Sequence, residues 1–167
     1  MIPSTEAPDF AAAAAGYRWW GVRDGRLASP NVITHTWVPG VNHAHCIYGN
    51  DHDAPSEDYE LCECGLYAWA EDVCEPHHAQ AVVGVVCLWG RMQVAVGAVR
   101  AEHAKIMALA GEAWAEEIAE EYGVPLVERA DLPLHAEASG ALSIPRLYKA
   151  ATKETNDSIQ PISPSPH

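Results

Sequence analysis

The chain has 167 residues, 49% of them apolar, and carries 10 Lys and Arg against 23 Asp and Glu, a formal charge of −13. That length supports one domain with its own core, and that apolar fraction excludes a broadly disordered chain. No apolar run is long enough to cross a bilayer, and Met1 to Glu6 lacks the positive start of a secretory signal, so the expectation is a cytoplasmic protein.

Residues 1–15 contain Pro3, Pro8 and the run Ala11 to Ala15 and read as a flexible leader. Residues 16–148 are expected to form one domain. Tyr17 to Val22 is rich in strand-favouring aromatics, and Asp24-Gly25 directly after it is a hairpin signal. Val32 to Trp37 reads as further strand, broken by Pro39-Gly40. From Val41 to Pro76 the chain is polar, acidic and rich in Cys and His, a long irregular stretch that needs something to order it. Gly65 to Ala70 is expected to begin a short helix.

Ala81 to Leu88 is a valine-rich run that reads as a buried strand, with Gly90-Arg91 turning the chain and Met92 to Val96 returning beside it. Gly111 to Tyr122 has helical spacing, with Trp114 and Ile118 on one face, Gly123 placed to cap it and Pro125 to stop it. Met107 and Ala110 extend the stripe, so that helix could begin near Glu102; the other reading makes Ala101 to Leu109 a strand. Val124 to Val127 is expected as a last short strand, and residues 149–167, ending Pro-Ser-Pro-His, as a disordered tail. The fold class expected is α+β: a small antiparallel sheet, a zinc-knuckle loop and one or two packed helices.

Charge is unevenly placed. No Lys or Arg occurs between Arg26 and Arg91, whereas Asp51, Asp53, Glu57, Asp58, Glu60, Glu63, Glu71, Asp72 and Glu75 all do. Such a face repels phosphate backbones, so direct nucleic-acid binding is not expected. It serves solubility, or steers a basic protein partner.

The five cysteines lie at positions 46, 62, 64, 74 and 87, an odd number with no export signal, which points to metal rather than disulfides. Cys46, His52, Cys62 and Cys64 form a C-x5-H-x9-C-x-C set suited to tetrahedral zinc. In Cys62-Glu63-Cys64-Gly65 two closely spaced sulfurs grip an ion, and the glycine permits a positive φ or a close backbone approach. Cys62, Cys64, Cys74 and His77 form a rival set of equal chemical merit, with His43, His45 and His78 as spare donors. Cys87, inside the valine run, reads as core. Four protein ligands leave no place for water, so the expected Zn2+ is structural. A zinc hydrolase or deaminase is the alternative. It would need three ligands, a water and a base such as Asp51, Glu60 or Glu63, but H-E-x-x-H and the deaminase pattern are absent.

The strings Cys62-x-Cys64-Gly65-Leu66-Tyr67-Ala68, Val83-Gly84-Val85-Val86-Cys87-Leu88-Trp89-Gly90 and Arg100-Ala101-Glu102-x-Ala104, with His52-Asp53-Ala54-Pro55 upstream, resemble a family of small uncharacterised proteins of actinobacteria and their phages. The resemblance spans about residues 17 to 127. It implies that Cys46, His52, Cys62 and Cys64 are the ligand set. It implies no activity, and it suits an acidic adaptor, phage-encoded, that binds a host protein. Lys105-Ile106-Met107 departs from the family, which has Tyr-Pro and apolar residues there. Trp19, Trp20, Trp37, Tyr67, Trp69 and Trp89 read chiefly as core in a chain with one Phe, and Arg100 with Glu102 as a structural ion pair.

Overall fold

The computed structural model describes residues 13–30, 35–46, 48–49, 51–56, 62–72 and 80–157. Strands β1 (Ala14–Arg23) and β2 (Arg26–Ala28) are joined by Asp24-Gly25, with φ of 50° and 74°. Two positive φ values make the type I′ turn, whose twist matches that of the strands it joins. β1 starts inside the alanine run, which corrects the leader boundary. Ala14 and Ala15 are buried opposite Leu88 and Cys87. Their small side chains sit where the chain's later elements pack onto the sheet. Of the next expected strand, Asn31 to Thr34 lie outside the described residues, and Thr36 bridges to Ala28. The Pro39-Gly40 break is tied by the buried Asn42, whose side chain accepts from Val38 N at 2.9 Å and donates to Val38 O at 3.0 Å.

β3 (Val41–His43) follows, then β4 (Leu66–Trp69), β5 (Ala81–Val94) and β6 (Ala98–Ala110). Two expectations change here, and a third point, open between helix and strand, is decided. Leu66 to Trp69 is strand, not helix: Leu66 and Ala68 face the core and Tyr67 and Trp69 are half-buried, the period of two of a sheet. Gly90-Arg91 is not a hairpin turn. Gly90, at φ 84°, absorbs a bulge, and the register slips from Trp89↔His103 to Met92↔Ala101 while β5 runs on. The reversal comes at Val96-Gly97, where Ala95 N donates to Ala98 O at 2.8 Å. Third, Ala101 to Leu109 is strand. Paired with β5 along one edge and with β4 and β3 along the other, it is held in place by partners that outweigh its helix-favouring Ala, Lys, Met and Leu.

The expected helix is therefore shorter: a 3-10 turn at Ala113–Ala115 leads into α1 (Glu116–Tyr122), capped by Gly123 at φ 66°. β7 (Leu126–Val127) lies parallel to β6. Three further elements follow that the sequence did not announce: α2 (Leu132–Ala138), β8 (Leu142–Ser143) and α3 (Ile144–Asp157). α3 carries helix into the expected tail as far as Asp157; residues 158–167 lie outside the described residues. The fold is α+β as expected, with an eight-stranded, mainly antiparallel sheet among the described residues. No helix there is long and apolar enough to cross a membrane.

The sheet returns on itself. β1 pairs with β5, β5 with β6, β6 with β4, and β4 with β1 through Tyr17↔Trp69. Trp20, Leu66, Ala68, Val82, Val86, Leu88, Val99 and Leu109 belong to the main core. On the other face of β5, Val83 and Val85 pack with Leu132 of α2. Burial on both faces is why β5 reads as an unbroken apolar run. Trp37 meets Trp20 edge-on at 5.3 Å, and Tyr122 OH donates to Trp37 O while accepting from Leu27 N.

Gly84 marks the tightest point of this packing. A Cβ there meets Ala108 O at 2.6 Å and Trp20 Cζ3 at 2.9 Å, whereas one at Gly97 meets nothing within 4 Å. Gly84→Ala is expected to lower unfolding free energy by about 1–3 kcal/mol in urea titrations, with Gly97→Ala close to wild type.

Candidate metal centre

β3 and β4 lie end to end along one edge of β6. His43 pairs with His103, Ala44 N donates to Glu102 O at 2.7 Å, and Leu66 pairs with Ala101. The chain thus leaves the sheet after Ala44 and rejoins it at Leu66, one position further along β6. Everything between is an excursion with fixed ends, and it carries all four expected ligands.

Those ligands converge. The donor atoms of Cys46, His52, Cys62 and Cys64 all lie within 4.8 Å of one another, a group that could hold a metal ion. Cys46 Sγ is 3.7 Å from Cys62 Sγ, and Cys64 Sγ is 4.0 Å from His52 Nδ1. A tetrahedral ion with thiolates at about 2.3 Å separates two sulfurs by about 3.8 Å, whereas a disulfide would bring them to about 2.0 Å. The donor set and its spacing therefore fit a four-coordinate ion. Cys62 and Cys64 are buried with Ala54, Cys46 is half-buried, and His52 is exposed at the rim. His52 Nδ1 also lies 2.7 Å from Asp53 O; that contact requires a proton on this nitrogen, so Nδ1 gives it up if it is the atom that takes an ion.

Gly65 meets both expectations made of it. Its φ is 137°, and a Cβ there would sit 3.2 Å from both Arg100 Cβ and Pro55 Cβ. Arg100, read from the sequence as an ion-pair partner of Glu102, binds backbone carbonyls of the excursion. Only 3% exposed, it donates Nη1 to Cys62 O at 2.6 Å and Cys64 O at 2.9 Å, Nη2 to Ser56 O at 2.8 Å, and Nε to Gln93 Oε1 at 2.7 Å. One guanidinium on a rigid strand thus holds the carbonyls of both knuckle cysteines. It also sets a positive charge beside a centre that sums to −1 when three thiolates and a neutral imidazole hold a dication. Its signal in the sequence was only an Arg within a predominantly apolar stretch. Glu102 accepts from Arg91 N at 3.0 Å and lies 3.5 Å from His103 Nε2.

The other candidates fall elsewhere. Cys87 is buried in β5, where burial pushes its thiol up to about 11, so it is core as expected. His43 Nδ1 is 2.9 Å from His103 Nδ1, and His45 packs by His35 at 4.8 Å. Cys74, His77 and His78 lie outside the described residues; the rival set's other two members, Cys62 and Cys64, face Cys46 and His52. Trp20, Trp37 and Trp89 are buried, while Trp19, Tyr67 and Trp69 are half-buried. Compared with known proteins, the chain matches no family model, no curated protein and no solved structure.

Protonation opposes the metal. The Asp53 carbonyl and then Cys62 raise the His52 imidazole, and burial raises the Cys64 thiol. Both groups hold their protons more firmly than usual, so an ion must displace them and its affinity rises with pH. Chelator-competition titrations should show affinity falling as pH is lowered. Cys46→Ser, Cys62→Ser, Cys64→Ser and His52→Ala should each lose metal, and Cys87→Ser and Cys74→Ala should keep it. Arg100→Gln should weaken binding about 10–100-fold.

Proposed function

We propose that the ion is Zn2+, that it is structural, and that the chain is a zinc-stabilised acidic module that binds a protein partner. The observation that carries the first part is the gathering of three sulfurs and one imidazole within 4.8 Å. Soft thiolates and imidazole in a tetrahedral set select zinc. A catalytic zinc keeps three protein ligands and an open position for water. Here four donors fill the tetrahedron, which disfavours the hydrolase or deaminase reading. The ion's work is then to order the excursion between Ala44 and Leu66, where the described residues bury little more than Ala54, Pro55 and two cysteines.

Charge supports the second part. Asp53 meets Arg91 at 3.4 Å, and Asp72 takes a two-pronged contact from Arg129 at 2.7 and 2.8 Å, so part of the acidic stretch is matched within the chain. Asp51, Glu63 and Glu71 remain exposed on a chain of net charge −13. Such a surface accelerates encounter with a basic protein and disfavours nucleic acid. The resemblance to actinobacterial and phage proteins directs the search for that partner to an actinobacterial host.

Stripping zinc with a chelator should lower the thermal midpoint, and adding zinc back should restore it. Hydrogen exchange should accelerate in residues 44–66 before it does in β5. A metal-free protein with an unchanged midpoint contradicts a structural ion. Binding to a purified host partner should weaken with added salt and in Asp51→Asn with Glu71→Gln. Salt-independent binding contradicts the acidic-surface reading.

A further inference from the structure

The seam between β1 and β4 parts beside its closing pair. Past Tyr17↔Trp69, the strands are linked by a side chain: Arg18 Nη1 donates to Tyr67 O at 2.9 Å. Arg18 is 6% exposed. Its guanidinium lies 4.8 Å from the ring centre of Trp37 and 5.9 Å from that of Trp20, and Nη2 donates to Ser29 Oγ at 2.8 Å. These contacts fix a positive charge at the mouth of the closed sheet, where ligand sites of small barrels tend to form. A cleft of about 340 Å³ opens there, lined among others by Arg18, His35, His45, Tyr67 and Trp69.

The cleft's chemistry runs against that of the chain around it. The protein as a whole carries −13, yet this concavity gathers a buried Arg and two histidines whose rings lie 4.8 Å apart. Its carboxylate, Glu63, is exposed. Burial, then His45 and Arg18, push the His35 imidazole below its ordinary range. A neutral His35 both donates and accepts hydrogen bonds, and the buried Arg18 supplies the fixed positive charge of the cleft. The aromatic wall is ordered too: Tyr67 and Trp69 stack on one another at 6.5 Å and 29°.

We propose that this cleft binds a small organic oxyanion with a planar body, its carboxylate or phosphate directed to Arg18 and His35 and its ring to Tyr67 and Trp69. Charge-assisted hydrogen bonds would supply orientation, and stacking on the aromatic wall would supply contact area. The site goes beyond the structural role of the ion. His45, Glu63 and Cys64 stand on the metal-bearing excursion and line the cleft, so an ion held there would shape one of its walls.

The test is ligand-observed NMR on the full chain, with metal content measured in the same sample. Benzoate and adenosine monophosphate are titrated beside their neutral counterparts, benzamide and adenosine, and beside inorganic phosphate. At least one ringed anion should saturate, at least about tenfold more tightly than its neutral counterpart. Benzoate alone identifies a carboxylate ligand, and adenosine monophosphate alone a phosphate. Trp69→Ala should weaken that binding about tenfold, and Glu63→Gln, an exposed change, should tighten it about two- to threefold. Arg18→Gln should abolish it; if that variant fails to fold, the other two decide. Equal binding of neutral probes, tighter binding of inorganic phosphate than of either ringed anion, no saturation by any probe, or insensitivity to Trp69→Ala and Glu63→Gln overturns the proposal. Fully metal-loaded protein that fails these titrations counts against the cleft and leaves the metal reading intact.

Discussion

β6 takes β5 along one edge, and β4 and then β3 along the other. Because β3 and β4 occupy neighbouring stretches of a single edge, the long polar segment between them must begin and end within one residue step of β6. That constraint creates the metal centre. It gathers a segment with little apolar content of its own into a closed excursion, and it sets Arg100, on the strand beneath, under the carbonyls of Cys62 and Cys64. The guanidinium holds the peptide oxygens of residues whose sulfurs could hold an ion.

The same constraint accounts for the cleft. The sheet closes through Tyr17↔Trp69, and Arg18 stitches the gap beside it by reaching across to Tyr67 O. A buried Arg at a strand seam is costly unless its donors are satisfied. Its contacts with Tyr67 O, Ser29 Oγ and the rings of Trp37 and Trp20 offset part of that cost and fix its position. The outcome is a cleft with a buried arginine in an acidic protein, and Glu63 belongs both to the rim of that cleft and to the exposed acidic surface.

What could be read in the sequence was what short-range chemistry carries. Asp24-Gly25 specifies its turn by backbone preference alone. A Cys and His metal set announces itself because those residue types serve few other purposes at that density; chemistry left Cys46, His52, Cys62 and Cys64 level with Cys62, Cys64, Cys74 and His77, and the family resemblance favoured the first. Gly65 followed from the knuckle. Long-range pairing hid the rest. Gly90 has the positive φ of a turn, yet the same freedom serves a bulge in a strand whose partner continues. Ala101 to Leu109 is made of good helix formers and becomes strand because both its edges are taken. Leu66 to Trp69 is too short to show a period. Ile144, fully buried at the start of α3, anchors a helix whose remaining sequence is polar enough to read as tail. Arg100 resembles any arginine in a strand until the loop that folds over it is known.

Everything proposed for the ion rests on a closed tetrahedral centre of three sulfurs and one nitrogen that orders the chain between Ala44 and Leu66. X-ray absorption at the zinc edge of the protein as purified tests it most directly. The expected first shell is three sulfurs at about 2.3 Å and one imidazole nitrogen at about 2.0–2.1 Å, with no oxygen. A water oxygen in that shell, fewer than three sulfurs, or no bound zinc would contradict it.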